Sequence, residues 1–168
     1  MSSPLERRAV RAVLLTPSAE ILLMHLEFPN QRWLWLTPGG GMEPGETEHQ
    51  TLHRELEEEV GRSDLTIGPA LWTRTHTFRI DARLLTQYER YYLIETDRFH
   101  PSPKNMPDEP ESEWFRGFRW WPIDTLREAD HRVAPNGLDE LLAQLVSDGP
   151  PERAFDISTQ TELPTIAT

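Results

Sequence analysis

The spacing of hydrophobic positions changes several times along this chain, and each change marks an element. Val10 to Thr16 is a run of apolar and β-branched residues, Pro17-Ser18-Ala19-Glu20 is turn-like, and Ile21 to Leu26 is apolar again. That pattern predicts a β-hairpin. A short aromatic strand, Trp33-Leu34-Trp35-Leu36, runs directly into Pro38-Gly39-Gly40-Gly41. Consecutive glycines weaken strand and helix alike, so they predict a loop that bends sharply or comes close to a ligand. From Thr47 the period becomes helical, with Leu52, Leu56 and Val60 recurring every four residues as a buried stripe. Thr47 and Gln50 form a capping-box pair at its start, and Gly61 stands where a glycine cap ends a helix.

Beyond the helix, Leu65 to Ile80 and Leu84 to Glu95 predict two long strands around a turn at Asp81-Ala82-Arg83. Phe99 to Glu113 is rich in proline and acid and reads as a loop. Phe118 to Trp121 predicts a short strand, Pro122 to Glu128 a helix opened by proline, and Gly137 to Val146 a second amphipathic helix. From Gly149 onward proline, serine and threonine follow no period, which predicts a frayed tail. The expected organisation is one domain over residues 1–148 and a flexible segment over 149–168, with no internal repeat.

Charge narrows the partners. With 17 basic and 28 acidic residues the formal net charge is -11. Extended binding to a nucleic-acid backbone needs clustered Lys and Arg, so it is not expected. An acidic protein still handles a phosphate compound when a cation bridges the two. The absence of cysteine excludes disulfides, thiolate zinc sites and cysteine nucleophiles. The apolar run Ala12 to Leu15 is too short for a signal-peptide core, and no stretch reaches the length of a membrane span. A cytoplasmic protein is expected.

The chemistry concentrates between Gly39 and Gly61. At about 100° per residue, Glu55, Glu58 and Glu59 share roughly one third of a helix circumference, beside the Leu52/Leu56/Val60 stripe. Like charges at these spacings destabilise a bare helix by a few tenths of a kcal/mol per pair, and a divalent cation removes that cost. Mg²⁺ takes oxygen ligands, usually one or two carboxylates together with substrate phosphates. The glycine loop upstream adds backbone carbonyls for a metal and N–H groups for phosphate oxygens.

Gly40, Glu46 six residues on, and Arg54-Glu55-Leu56-Glu57-Glu58-Glu59-Val60-Gly61 resemble the Nudix box G-x5-E-x7-R-E-U-x-E-E-x-G-U, where U is a bulky aliphatic residue. One position departs: the last U falls on Arg62. The box, Gly40 to Arg62, covers about a seventh of the 168 residues. The resemblance implies an α/β fold, the Nudix α/β/α sandwich around a mixed β-sheet, with the box forming a loop, a helix and a loop. It implies Gly39 as carbonyl ligand, Glu55, Glu58 and Glu59 as metal carboxylates, and Glu46 paired with Arg54 to hold the loop to the helix. It further implies a hydrolase of phosphorus anhydrides that uses Mg²⁺, or alternatively Mn²⁺. Glu58 is the first choice for the base that takes a proton from water, with Glu55 beside it. Members differ in this, and Glu111, Glu113 and Glu89 are the candidates outside the box.

The expected substrate is a small nucleotide, either a nucleoside triphosphate or a nucleotide sugar. A dinucleoside-polyphosphate or RNA-cap hydrolase and a non-catalytic ligand sensor are the alternatives, and the intact Glu55/Glu58/Glu59 set speaks against the sensor. Thr75-His76-Thr77-Phe78 stands where ADP-ribose hydrolases of the family often carry proline and diadenosine-polyphosphate hydrolases tyrosine, so neither cue is present. Many members pair, so the resemblance admits a homodimer. Arg32, Arg74, Arg79 and His76 are weaker candidates for gripping the substrate. Trp33, Trp35, Trp120 and Trp121 read chiefly as core aromatics, one of which could stack a base. His49 and His53 lie four apart on the helix without the zinc-binding His-Glu-x-x-His pattern, and read as exposed.

Overall fold

The computed structural model describes residues 3–80, 82–104, 113–128 and 132–158. Among them, nine strands form one mixed sheet. In chain order these elements are β1 Leu5–Leu15, β2 Glu20–Glu27, β3 Trp33–Leu36, β4 Gly39–Gly41, α1 Glu48–Val60, β5 Ala70–Ile80, β6 Arg83–Glu95 and β7 Phe115–Pro122. A 3-10 helix at Ile123–Glu128, β8 Val133–Ala134, α2 Leu138–Asp148 and β9 Phe155–Asp156 complete the set. The sheet order is β8-β3-β2-β1-β6-β5-β9, with β4 paired to β1 and β7 to β2.

β1 is the spine. It runs parallel to β6 in unbroken register from Leu5↔Leu85 to Leu15↔Glu95, while β5 and β6 form an antiparallel hairpin. Alternation along β1 feeds two cores. Val10, Ala12 and Leu14 pack with Leu52, Leu56 and Val60 of α1, and Val13 packs with Trp72, Tyr91, Leu138, Leu142 and Leu145 on the α2 side. Helices therefore cover both faces of the mixed sheet. None of the described helices is long and apolar enough to cross a membrane.

Helix α1 follows its local signals. Thr47 caps its N-terminus with both hydrogen bonds of the capping box to Gln50, and Gly61 closes it in the left-handed conformation, donating to the Glu57 carbonyl. The Arg62 guanidinium lies 4.7 Å from the centroid of the Phe99 ring and binds Asp64 at 2.7 Å. Phe99 in turn meets the buried Trp120 edge-on. The charged residue thus closes the helix end against an aromatic ring at the box position that takes an aliphatic side chain.

Several expectations need correction. The glycine run forms a short strand, pairing Gly39, Gly40 and Gly41 with Arg11, Val10 and Ala9. The strand expected from Leu65 begins at Ala70, after Pro69, which has no N–H for a ladder. The helix expected from Pro122 is a 3-10 turn that starts at Ile123, with Pro122 ending β7. The tail assigned to 149–168 is partly ordered: Phe155 and Asp156 pair in parallel with Trp72 and Thr73, and Ser158 Oγ accepts from the Thr75 N–H at 2.7 Å. Residues 159–168 lie outside the described residues, as does Glu111.

Candidate metal and active site

The site forms where β4 passes between β1 and α1. Gly39 takes φ 141°, and a Cβ there would stand 2.0 Å from the Val10 carbonyl oxygen. Only glycine admits this approach, which draws the loop against β1. Gly40 faces the helix: a Cβ on it would stand 2.3 Å from Glu55 Oε1. The Gly39 N–H donates to Glu59 Oε2 at 2.9 Å, so the loop is tied directly to the acidic arc.

Along the arc, Glu55 and Glu59 are buried, Glu58 is half-buried and Glu57 faces solvent. Arg54 organises the rim. Its Nε and Nη2 grip the two oxygens of Glu46 at 2.6 and 3.0 Å, and Nη2 also reaches the Gly41 carbonyl at 3.1 Å. Such a fork is both strong and directional. The hydrogen bonds from Arg54 bring the Glu46 carboxyl down to about 2, helped by Thr51 and despite some burial. Arg54 Nη1 lies 3.1 Å from Glu55 Oε1 and 3.4 Å from Glu58 Oε2, partly relieving the repulsion between those acids. Burial nevertheless raises the Glu55 carboxyl above its ordinary value, and the Glu58 charge adds to the rise against the pull of Arg54.

Among the described residues no three acidic or imidazole groups converge into a ready-made cage. The donor set still fits a hard divalent cation. It offers carboxylates of graded exposure and a backbone carbonyl, while Mg²⁺ fills much of its shell with water and phosphate oxygens.

Beside the loop, on the sheet face away from α1, lies a pocket. Its walls include Leu26, Phe28, Leu34, Phe78 and Trp114, and its polar side is Arg11, Arg74, His76, Gln87 and Glu89. Phe28 and Trp114 meet edge-on at 5.1 Å, and His76 stacks on Phe78 at 5.0 Å. Glu89 is buried at the centre of the polar side. It accepts from Arg11 Nε at 3.0 Å, Gln87 Nε2 at 2.7 Å, Tyr91 Oη at 2.7 Å and Arg74 Nη1 at 3.2 Å, with His76 Nε2 at 3.5 Å. Burial alone would raise this carboxyl, but the charges and hydrogen bonds of Arg11, His76 and Arg74 hold it well below the usual range. Arg11 reaches back to the loop, donating from Nη1 to the Gly39 carbonyl at 3.2 Å.

The structure thus gathers Gly39, Glu46, Arg54, Glu55, Glu58 and Glu59 around the loop, and Arg74, His76 and Glu89 around the pocket. Arg32 and Arg79 are exposed and outside its lining, whereas exposed Glu113 directly precedes the lining residue Trp114. Sequence reasoning passed over Arg11, Phe28, Gln87 and Trp114. Arg11 had a signal, being the one charge inside the apolar run Ala9 to Leu14. Trp114 had none, because it stands at the end of an acidic, proline-rich stretch without hydrophobic period.

Comparison with known proteins identifies a family for the chain. The family profile described as NUDIX domain matches residues 5–145. A putative mutator protein MutT4 of Mycobacterium tuberculosis is 34% identical over 123 residues, covering 71% of this chain and 46% of the relative. A nucleoside triphosphatase NudI of an Enterobacter species is 43% identical over 72 residues, 40% of this chain and 45% of the relative. The chain spans about half the length of these curated relatives. The crystal structure of a MutT protein from Methanosarcina mazei shares the fold at TM-score 0.55 and 14% identity, covering 88% of this chain and 97% of that one. With its box on a capped helix, a glycine strand locked to that helix and a profile match across most of its length, the chain belongs to the NUDIX family.

Proposed function

We propose that this protein is a divalent-cation-dependent pyrophosphohydrolase that cleaves a phosphate–phosphate bond in a nucleoside diphosphate linked to a further group, as in a nucleoside triphosphate or a nucleotide sugar. The observation that carries the reading is the position of Gly39, whose N–H binds Glu59 on the acidic arc and whose carbonyl accepts from Arg11 on the pocket wall. One strand thereby joins a cation-binding set to a pocket with aromatic walls. The name of the NudI relative, a nucleoside triphosphatase, supports the same substrate class.

In this reading Gly39, Glu55, Glu58 and Glu59 hold Mg²⁺ or Mn²⁺, which when bound polarises phosphoryl oxygens and makes water more acidic. Glu58 takes the proton from the attacking water, because of the three proposed cation ligands on the helix it alone is half-buried while Glu55 and Glu59 are buried. Glu46 and Arg54 orient the arc and the loop and do not react. The pocket walled by Phe28 and Trp114 takes the nucleoside, and Arg74 and His76 line its polar edge. Residues 1–148 form the catalytic unit, with 149–158 strapped to the edge of β5.

The test is turnover of a panel of nucleoside triphosphates, nucleotide sugars and dinucleoside polyphosphates, with and without Mg²⁺ or Mn²⁺, beside the Glu58→Gln variant. Cation-dependent release of a monophosphate that collapses in the variant supports the reading, and the fastest compound names the substrate. Ligand binding without turnover on any compound would replace it with the sensor alternative.

A further inference from the structure

The four donors on Glu89, with His76 Nε2 also 3.5 Å away, leave it no capacity for a reacting water. A carboxylate offers about four lone-pair sites, and Arg11, Arg74, Gln87 and Tyr91 occupy them in a fully buried position. Burial and the adjoining charge also push the Tyr91 hydroxyl up, so it stays a donor. An ionised acid enclosed in this way orients its partners. One of those partners leaves the cluster: Arg11 binds Glu89 through Nε and the Gly39 carbonyl through Nη1. The Gly39 residue is therefore held on both sides of its Cα, at its carbonyl by Arg11 and at its N–H by Glu59.

We propose that Glu89 is a positioning residue for the cation site, acting through Arg11, which sets the direction of the Gly39 carbonyl. The proposal rests on the reading of Gly39 and the Glu55/Glu58/Glu59 arc as a divalent-cation site. The electrostatics fix the sign. Without the Glu89 charge, Arg11, whose Nη1 lies against the Gly39 carbonyl, is less compensated and repels an incoming cation. Arg11 also loses the anchor that keeps it aligned, so the carbonyl loses its fixed direction. Both effects weaken cation binding in the protein without nucleotide. A proton-accepting role for Glu89 would instead lower turnover and leave cation affinity intact.

The test is calorimetric titration of the nucleotide-free protein with Mn²⁺, comparing wild type, Glu58→Gln, Glu89→Gln, Arg11→Met, Arg11→Lys and the Glu89→Gln/Arg11→Met double variant. Glu89→Gln should bind Mn²⁺ about tenfold or more weakly, the usual cost of removing a group that orients a ligand. In the Arg11→Met background the same change should add no more than about twofold, because the two residues act as one unit. Arg11→Lys keeps the charge but its single ammonium cannot span both acceptors as the guanidinium fork does, so it should also bind several-fold more weakly. If Glu89→Gln does not fold, Arg11→Lys decides: wild-type affinity in that variant overturns the proposal. Unchanged affinity in Glu89→Gln overturns it too, as does a full-sized loss when Arg11 is already methionine. A wild type whose Mn²⁺ binding is absent or insensitive to Glu58→Gln overturns the underlying cation site, and this proposal with it.

Discussion

A Cβ on Gly40 would stand 2.3 Å from the Oε1 of Glu55, so the glycine strand and the acidic arc touch with no room for a methyl group. The Gly40 backbone does not take a positive φ, so the backbone itself tolerates a side chain. What must move is the buried Glu55 carboxylate. Gly40→Ala should therefore fold and melt close to wild type while losing about ten- to a hundredfold in cation affinity or turnover, the range for displacing a metal-orienting group. Calorimetry with Mn²⁺ and a thermal melt on the same sample separate the two effects. A variant that melts early and keeps its cation affinity would count against this account.

The Glu46–Arg54 fork should leave a signature in acid. The Glu46 carboxyl falls from an ordinary 4.5 to about 2 in the folded protein. A depressed folded value contributes stability that is fully present above the unfolded value and is lost as pH falls through the folded one. The stability difference between wild type and Glu46→Gln should be constant above about pH 5 and shrink between about pH 4.5 and 2. Urea titrations of both proteins across that window give the curve. A difference that stays flat to pH 2 would show that the fork carries no linkage.

Glu55 has the opposite sign. Burial raises its folded value, so its charged form costs stability at neutral pH and the cost is relieved as pH falls. Glu55→Gln should therefore melt higher than wild type at pH 7 in the absence of cation, by about 2–4 °C for each kcal/mol relieved. Turnover should collapse in the same variant, the trade of stability for function expected where a charge is buried for use. The gain should vanish when Mn²⁺ is added, because only wild type then gains the bound cation's stabilisation. A variant that melts lower than wild type without cation would reverse the sign argued here.

What the sequence disclosed was what neighbours in the chain determine. The capping box of Thr47 and Gln50, the stripe Leu52/Leu56/Val60 and the Gly61 cap are all local, and α1 formed as they indicate. The fork between Glu46 and Arg54 was legible as part of a family pattern. Long-range pairing was not. Gly39, Gly40 and Gly41 lack strand propensity, yet β1 accepts them because glycine alone can lie so close to its backbone. Phe155 and Asp156 have no strand pattern and pair only because the outer edge of β5 is open to them. Arg11 was visible as a charge in an apolar run, but its meaning depends on Glu89, 78 residues away. The pocket ring Trp114 stands next to Glu113 in an acidic, proline-rich stretch that gives no period by which to assign it.

Arg62 provides the last test, because it occupies the box position where an aliphatic residue belongs. Its guanidinium lies over Phe99 and also binds the exposed Asp64, and packing on the ring should outweigh that ion pair. Exposed ion pairs contribute about 0–1 kcal/mol, and a cation over an aromatic ring at a partly exposed site about 0.5–1 kcal/mol. Arg62→Leu keeps an apolar contact with Phe99 and should cost under about 0.5 kcal/mol. Arg62→Ser loses the ring contact as well and should cost about 1 kcal/mol. Asp64→Asn removes only the ion pair and should be nearly silent. Denaturant midpoints for the three variants order the contributions. If Asp64→Asn costs as much as Arg62→Ser, the ion pair and not the ring holds the helix end.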